Sequence, residues 1–424
     1  MEDLWIAFQG FMAEIEKTWL YPGIIVAIVG VGIKIGHYLG KRNDRNWREL
    51  LKTRELLQGA EKAQTLSIKK IDELKAELAN ANKDLRKYYA LKDSLLGRDT
   101  DLWTLHLPEP YTGYDTDVLS SDLEVMTVMN LKGGVGKSTL ATNLAAYFEK
   151  DLNRKVLLVD LDFQGSATTA MLNLSGLDSL EINGASALFK GDPVEKVHHL
   201  DVLLRLHGDQ LPNTRLIPCG YGFTSHENKL MVAWMLRETD EDPRYLLSRF
   251  LHTCKTKHGM DFDTVIIDAP PRLSLGSINA LTASTSLIIP TIPDRMSTEA
   301  VRNFVQSINT LLPVLNHSLQ KTFFVMNRTN QSVLSGSEEA IKTQLHEFAR
   351  DFKGIARVMK TNIPRRAAFS KATFERTLAW HLNDNVQSGE IRSILRDFGD
   401  EIADELGMQI PKRESLAATE VSEG

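Results

Sequence analysis

The sequence predicts an α/β fold, a doubly wound and mostly parallel sheet, preceded by a membrane-crossing helix and a long helical coiled coil. Three observations predict it. Short apolar runs alternate with helix-period stretches over residues 122–410, an apolar segment lies near the N-terminus, and apolar residues recur on a seven-residue frame between the two. These divide the 424-residue chain into an anchor segment, 1–42, with a span at 19–39, a coiled-coil helix, 43–98, a linker, 99–121, the sheet domain, 122–410, and a disordered tail, 411–424.

From Trp19 to Leu39 there are 21 residues, about what a helix needs to cross a hydrocarbon core. Trp19 and Tyr21 stand at one end and Tyr38 at the other. Glu2, Asp3, Glu14 and Glu16 precede the segment, and Lys41, Arg42, Arg45 and Arg48 follow it, so the positive-inside rule puts the remainder in the cytoplasm. The expected location is the bacterial inner membrane, crossed once. Lys34 interrupts the apolar run, which leaves a buried soluble helix or a re-entrant hairpin as the alternative.

In the coiled-coil stretch, Leu50, Leu57, Ile71, Leu74, Leu78, Ala81, Leu85, Tyr88 and Leu95 share a and d positions of one heptad frame, with Gln64 and Lys92 as polar interruptions. Self-association through that seam is expected, and the alternative is a single helix packed on the sheet domain. Pro108, Pro110 and Gly113 mark the linker. Beyond it, strands are read at Glu124–Met129, Val156–Val159, Val265–Ile267, Ser286–Ile289 and Thr322–Met326, and a last helix near Glu390–Leu406. Residues 176–244 carry no motif.

The first strand runs into Asn130-Leu131-Lys132-Gly133-Gly134-Val135-Gly136-Lys137-Ser138-Thr139 and then an amphipathic helix. Glycines let a backbone fold tightly around a phosphate with its N–H groups inward, a lysine holds the β/γ-phosphates, and a hydroxyl ligates Mg²⁺. The helix start adds its partial positive charge. Gly133, Gly134, Val135, Gly136, Lys137, Ser138 and Thr139 therefore form a phosphate-binding loop. Two more apolar strands end in carboxylates, Asp160 with Asp162 on one and Asp268 on the other, as expected for groups beside such a loop in a parallel sheet.

These motifs, K-G-G-V-G-K-S-T, D-L-D-F-Q-G-S-A-T and I-I-D-A-P-P, resemble the ParA/MinD family of deviant Walker A P-loop ATPases, most closely its ParA branch. The resemblance runs from about Glu124 to about Leu382. It implies ATP and Mg²⁺ as cofactors and an ATP-sandwich homodimer. Lys132 would reach the partner's phosphates, Lys137 would hold the β/γ-phosphates, and Asp162 would orient the attacking water. Ser138, Asp160 and Asp268 would serve the metal. Asn327 and Pro364 fall in segments that resemble the adenine-contacting ones, although Asn327 also suits a turn. Phe163 departs from the proline common at that turn.

A net charge of −5 argues against nucleic acid along the whole chain. The two cysteines, Cys219 and Cys254, fit no metal spacing and suggest a reducing compartment. Lys353, Arg357, Lys360, Arg365, Arg366, Lys371 and Arg376 form a basic cluster, read either as a nonspecific DNA-backbone surface or as a solvated face. The expected function is an ATP-controlled dimerisation switch at the membrane, with a stimulating protein partner, acting on a cargo or effector. The alternatives are a membrane-linked bacterial tyrosine kinase and the scaffold of a membrane effector in a defence system. Against the kinase, the final residues hold no tyrosine cluster.

Overall fold

The computed structural model describes residues 44–97, 99–119, 121–177, 184–190, 204–205, 210–257, 260–352, 354–382 and 386–411. The chain separates into two units, residues 1–89 and 90–424, each taken by itself. The described residues of the first belong to the helix α1, Asp44–Leu96, 53 residues long, whose residues 90–96 fall in the second. Its length agrees with the helix expected at 43–98. At about 1.5 Å per residue it extends roughly 80 Å. Leu74, Leu78, Leu85 and Tyr88 on its heptad seam are exposed.

The expected single-pass placement in the inner membrane needs correction. Among the described residues, no helix is long and apolar enough to cross a membrane. α1 has the length, but lysines, arginines and carboxylates recur along it, and each would be costly in hydrocarbon. The expected span itself, residues 19–39, lies outside the described residues, as does nearly all of the expected tail.

Residues 99–121 are not the plain linker that their prolines suggest. They carry two short helices, α2 (Asp99–Trp103) and α3 (Tyr114–Leu119), and Trp103 and Tyr114 are buried. The Tyr114 hydroxyl donates to the carbonyls of Thr282 and Asn316, and the Trp103 indole N–H donates to Leu273 O. An arginine fastens this strap. Arg244, fully buried, donates to the carbonyls of Trp103, His106 and Leu107 and pairs with Asp242 at 2.6 Å. Its guanidinium lies over the Trp234 ring, which stacks on Trp103. A buried arginine needs all its donors occupied, and three backbone carbonyls with no regular-structure partner need donors. Each requirement meets the other.

The sheet domain follows in alternation: β1 (Glu124–Val128), α4 (Lys137–Lys150), β2 (Val156–Asp160), α5 (Ser166–Leu174), α6 (Gly184–Leu188), β3 (Leu204–Arg205), β4 (Arg215–Ile217), α7 (Phe223–Met235), α8 (Leu246–Lys257), β5 (Thr264–Asp268), α9 (Leu275–Ala283), β6 (Ser286–Thr291), α10 (Arg295–Leu311), β7 (Lys321–Thr329), α11 (Gly336–Arg350), β8 (Ala356–Val358), β9 (Ile363–Pro364), α12 (Ala367–Phe374) and α13 (Val386–Glu405). The strand order is β3-β4-β2-β5-β1-β6-β7-β8, with β9 added to the end of β7. Among the described residues every pairing is parallel except β3 with β4.

The central strands are buried on both faces, so their sequences are continuous apolar runs rather than alternations. Successive residues nevertheless serve different cores. Val125, Val265 and Leu287 pack with α7 to α11 on one side, while Met126, Ile266 and Ile288 pack with α4, α5 and α13 on the other. β1 lies between β5 and β6, and the chain leaves β1 toward β2 on one side and β6 toward β7 on the other, so the connections of these two neighbouring strands run in opposite directions. A crevice opens there, beyond the carboxyl ends of the strands, where doubly wound sheets bind ligands.

Candidate functional site

The β1–α4 turn fills that crevice. Gly134 and Gly136 have φ of 73° and 90°, a left-handed backbone that side chains rarely adopt. At Gly136 a Cβ would also come within 2.5 Å of the Asn327 amide. Gly136 is the N-cap of α4 and offers no side chain to cap it, so the first N–H groups of the helix stay available to an anion. Two asparagines brace the turn. Asn130 donates to Pro290 O and accepts from Lys132 N, and Asn327 donates to Val135 O at 2.6 Å. Asn327 thus supports the loop backbone. Pro364, in β9, pairs with the end of β7 near Asn327.

Lys137 is buried and its ammonium donates to Lys132 O. Burial lowers its pKa, while Asp268 and Asp162 pull it back up. Lys132 is held differently. Its ammonium lies 2.6 Å from Ser297 Oγ and 3.3 Å from Asp294 Oδ1. Partial burial pushes the Asp294 carboxyl up, but the hydroxyl and N–H of Ser297 and the charge of Lys132 outweigh it and hold the group below its ordinary range.

Register brings Asp160 and Asp268 side by side, each the last residue of its strand. Their surroundings differ. Asp160 accepts three hydrogen bonds, from the N–H of Asp162 and from the N–H and hydroxyl of Thr168. Burial still pushes it up to about 7 against those bonds. Asp268 is fully buried, and among the described residues no donor reaches either carboxylate oxygen in full hydrogen-bond geometry, the Ser138 hydroxyl coming only near enough to draw its pKa down. Burial and then the charge of Asp160 raise its pKa well above the carboxylate range, with the Ser138 hydroxyl and Lys137 pulling the other way.

Two orphaned carboxylate oxygens next to a loop hydroxyl fit a hydrated magnesium ion, which binds through few carboxylates and several waters. Asp268 and Ser138 are therefore the residues that would hold it. Asp160, with its acceptors engaged, braces the turn after β2. Asp162 stands in that turn, buried, accepting from Gln164 N. Gly165 closes the turn with φ 63°, where a Cβ would meet Cys219 O at 2.8 Å. Phe163 supports the same turn from outside, with the Arg272 guanidinium over its ring.

The structure brings together Gly133 to Thr139, Asp160, Asp162, Asp268 and Asn327. It also shows partners to which the sequence assigned no role: Thr168 and Asn130, which lie within the quoted motifs, and Asp294 and Ser297, which lie outside them. The last pair had a local signal of its own, since Asp294-x-x-Ser297 is a helix start and Asp294 accepts from Ser297 N. The basic cluster is partly neutralised. Arg366 pairs with Glu390 of α13 and Lys371 with Glu375, and Arg376 donates to Asn173. Arg365 and Lys360 remain exposed, and Lys353 lies outside the described residues.

A family model described as an AAA domain matches residues 123–321. The cell division protein PomZ of Myxococcus xanthus is 30% identical over 222 residues, which are 52% of this chain and 63% of PomZ. The chromosome-partitioning ATPase Soj of Thermus thermophilus is 29% identical over 266 residues, 62% of this chain and 90% of Soj. Among solved structures, an ATP complex of a Cyanothece McdA variant superposes with a TM-score of 0.53 at 19% identity, covering 69% of this chain and all of McdA. Cobyrinic acid a,c-diamide synthase from Mycobacterium smegmatis with bound ADP and magnesium gives 0.50 at 22% identity, covering 69% of this chain and 99% of the synthase. At those identities the two structures speak for the fold alone.

Proposed function

This chain belongs to the ParA/MinD family of P-loop ATPases, and on that premise we propose that it binds and slowly hydrolyses Mg-ATP and pairs with a second copy in the ATP-bound state. The observation that carries this reading is the buried carboxylate of Asp268, which among the described residues no donor engages in full hydrogen-bond geometry, in register with Asp160 and beside the Gly134–Gly136 turn. A carboxylate without a partner is costly to bury, and a hydrated cation at the phosphate loop relieves it. Magnesium, when bound, would neutralise phosphate charge. Lys137 would hold the β/γ-phosphates from within the loop, and the free N–H groups at the start of α4 would hold the remainder. Asp162, buried in the turn after β2, would accept a hydrogen bond from the attacking water and so orient it. Lys132 would act on the phosphates of the second copy.

The exposed apolar seam of α1, with Leu74, Leu78, Leu85 and Tyr88, supports a second contact between copies. In this reading α1 keeps two chains near each other and ATP decides whether their sheet domains close. The switch then acts on a cargo. Equilibrium binding of a fluorescent ATP analogue, with phosphate release measured in parallel, tests the reading. Saturable magnesium-dependent binding and slow release of phosphate are expected. With ATP radiolabelled on its γ-phosphate, labelled tyrosine in place of free phosphate would indicate a kinase instead.

A further inference from the structure

Helix α7 and the loop after β5 meet beside the turn that carries Asp162. Glu227, within α7, has a side chain only 2% exposed, so its charge has to be met by the protein. Both of its oxygens are engaged. Oε2 accepts from Arg272 Nη2 at 2.6 Å, and Oε1 accepts from Gly276 N at 2.8 Å, at the start of α9. The backbone of Arg272 is tied as well, since its carbonyl accepts from Ser274 N at 3.0 Å and from the Ser277 hydroxyl. Held at both ends, the guanidinium lies 5.9 Å from the centroid of the Phe163 ring, and the Phe163 and Tyr221 rings meet edge to face at 6.2 Å.

Phe163 follows Asp162 directly, in a turn closed by two hydrogen bonds of its own: Gln164 N donates to Asp162 Oδ1 and Gly165 N to Asp162 O. A proline at position 163 would fix φ through its ring. Phenylalanine leaves φ free, so further rigidity has to come from contacts outside the turn. We propose that Arg272, aimed by Glu227, is a positioning residue for hydrolysis: it clamps the Phe163 ring and so fixes the turn from which Asp162 orients the water. The inference rests on the role proposed above for Asp162, and it adds residues that act through Asp162. The strength of the clamp follows from its exposure. The Arg272 side chain is 43% exposed, and a guanidinium over an aromatic face at such a site is worth about a two- to fivefold equilibrium. That narrows the positions open to a carboxylate without holding the fold. No residue of the phosphate loop takes part in the clamp, so its loss falls on turnover and spares ATP binding.

The full chain is compared with Phe163→Leu, Arg272→Gln and the double variant in three measurements. These are ATP affinity, kcat for phosphate release, and amide hydrogen exchange of peptides covering 160–167 in the absence of nucleotide. Phe163→Leu removes the aromatic face and leaves the Glu227–Arg272 pair in place, so its effect does not come from stranding a buried charge. Each single variant should lower kcat about two- to fivefold and speed exchange of the turn by a similar factor, with ATP affinity unchanged. In the double variant the losses should not add, because both changes break the same contact. Glu227→Gln, which loses the charge that aims the guanidinium, should give a smaller loss of the same kind.

Unchanged kcat and unchanged exchange in both single variants would overturn the clamp. So would additive losses in the double variant, which would mean that Arg272 acts through something other than the ring. Weaker ATP binding at unchanged kcat in Arg272→Gln would place the arginine on the nucleotide and overturn it too. Asp162→Ala reports on the premise. If it releases phosphate like the unsubstituted chain, the role of Asp162 falls and the proposal with it. If it is slow while Phe163→Leu and Arg272→Gln behave like the unsubstituted chain, the clamp alone falls.

Discussion

The phosphate loop and the strap at residues 99–119 are built on opposite logics. The loop is local: ten consecutive residues supply its glycines, its two lysines and its hydroxyls, and the rest of the fold presents it. The strap is distributed. Trp103 and Tyr114 are fixed by Leu273, Thr282 and Asn316, and the central fastener, Arg244, lies 141 positions beyond Trp103 along the chain. Chemistry at a phosphate needs many groups within a few ångströms, which one turn can provide. Pinning a segment to a domain surface needs anchors spread over that surface, which only tertiary structure brings together. Loss of a loop residue should therefore remove function and spare the fold, and loss of a strap anchor should do the reverse.

The largest expected effect tests the first half of that contrast. Lys137→Ala should reduce ATP binding below detection in a titration with a fluorescent analogue, while the unfolding midpoint in urea stays within error of the unsubstituted chain. Intact binding by the folded variant would break the assignment of the loop. A comparable loss of stability would break the contrast itself.

Arg244→Ala tests the second half. It leaves Asp242 buried and unpaired and three carbonyls without donors, so about 3–5 kcal/mol of stability should go, read from denaturant unfolding of the full chain. ATP affinity of the fraction that remains folded should hardly change. A large loss of affinity at unchanged stability would instead tie the strap to the crevice.

A smaller effect sharpens the division within the crevice. Asp162→Ala should keep ATP bound and slow phosphate release by about 100-fold or more, the range for losing a group that handles the water proton. Equal loss of binding and turnover would move Asp162 from the water to the nucleotide.

The smallest effect depends on pH. Burial raises the Asp160 carboxyl to about 7, above its value in the unfolded chain, so the folded form holds the proton more tightly. That contribution to stability is complete below about pH 4 and is lost as pH rises through about 7. In the absence of nucleotide and magnesium, the melting temperature should therefore fall between about pH 5 and 8 by more in the unsubstituted chain than in Asp160→Asn. Equal slopes would mean that Asp160 is ionised throughout.

Much of the domain was legible because its signals are short-range. Apolar runs at 156–159, 265–267, 286–289 and 322–326 are strands, and the carboxylates that end two of them come into register as Asp160 and Asp268. The edge strand β3 and its neighbour β4 were not, since two- and three-residue strands carry no period to read. Proline and glycine at 108–113 suggested a linker because they describe backbone conformation and say nothing about where Trp103 and Tyr114 are buried. The membrane reading was a matter of length and charge asymmetry at residues 19–39, and among the described residues no helix supports it.

By itself, then, the sequence determined the parallel α/β domain, the phosphate loop, the strand-end carboxylates and the long helix at 44–96. All of these depend on residue type at fixed spacing. Tertiary structure alone distinguished the two carboxylates, since Asp160 and Asp268 read alike until Thr168 is seen to donate to one and, among the described residues, no donor engages the other in full geometry. It alone joined Lys132 to Asp294, 162 positions away, and locked the strap with Arg244. Hydrogen bonds and ion pairs act over a few ångströms of space, and only the folded chain sets which distant residues come within that distance.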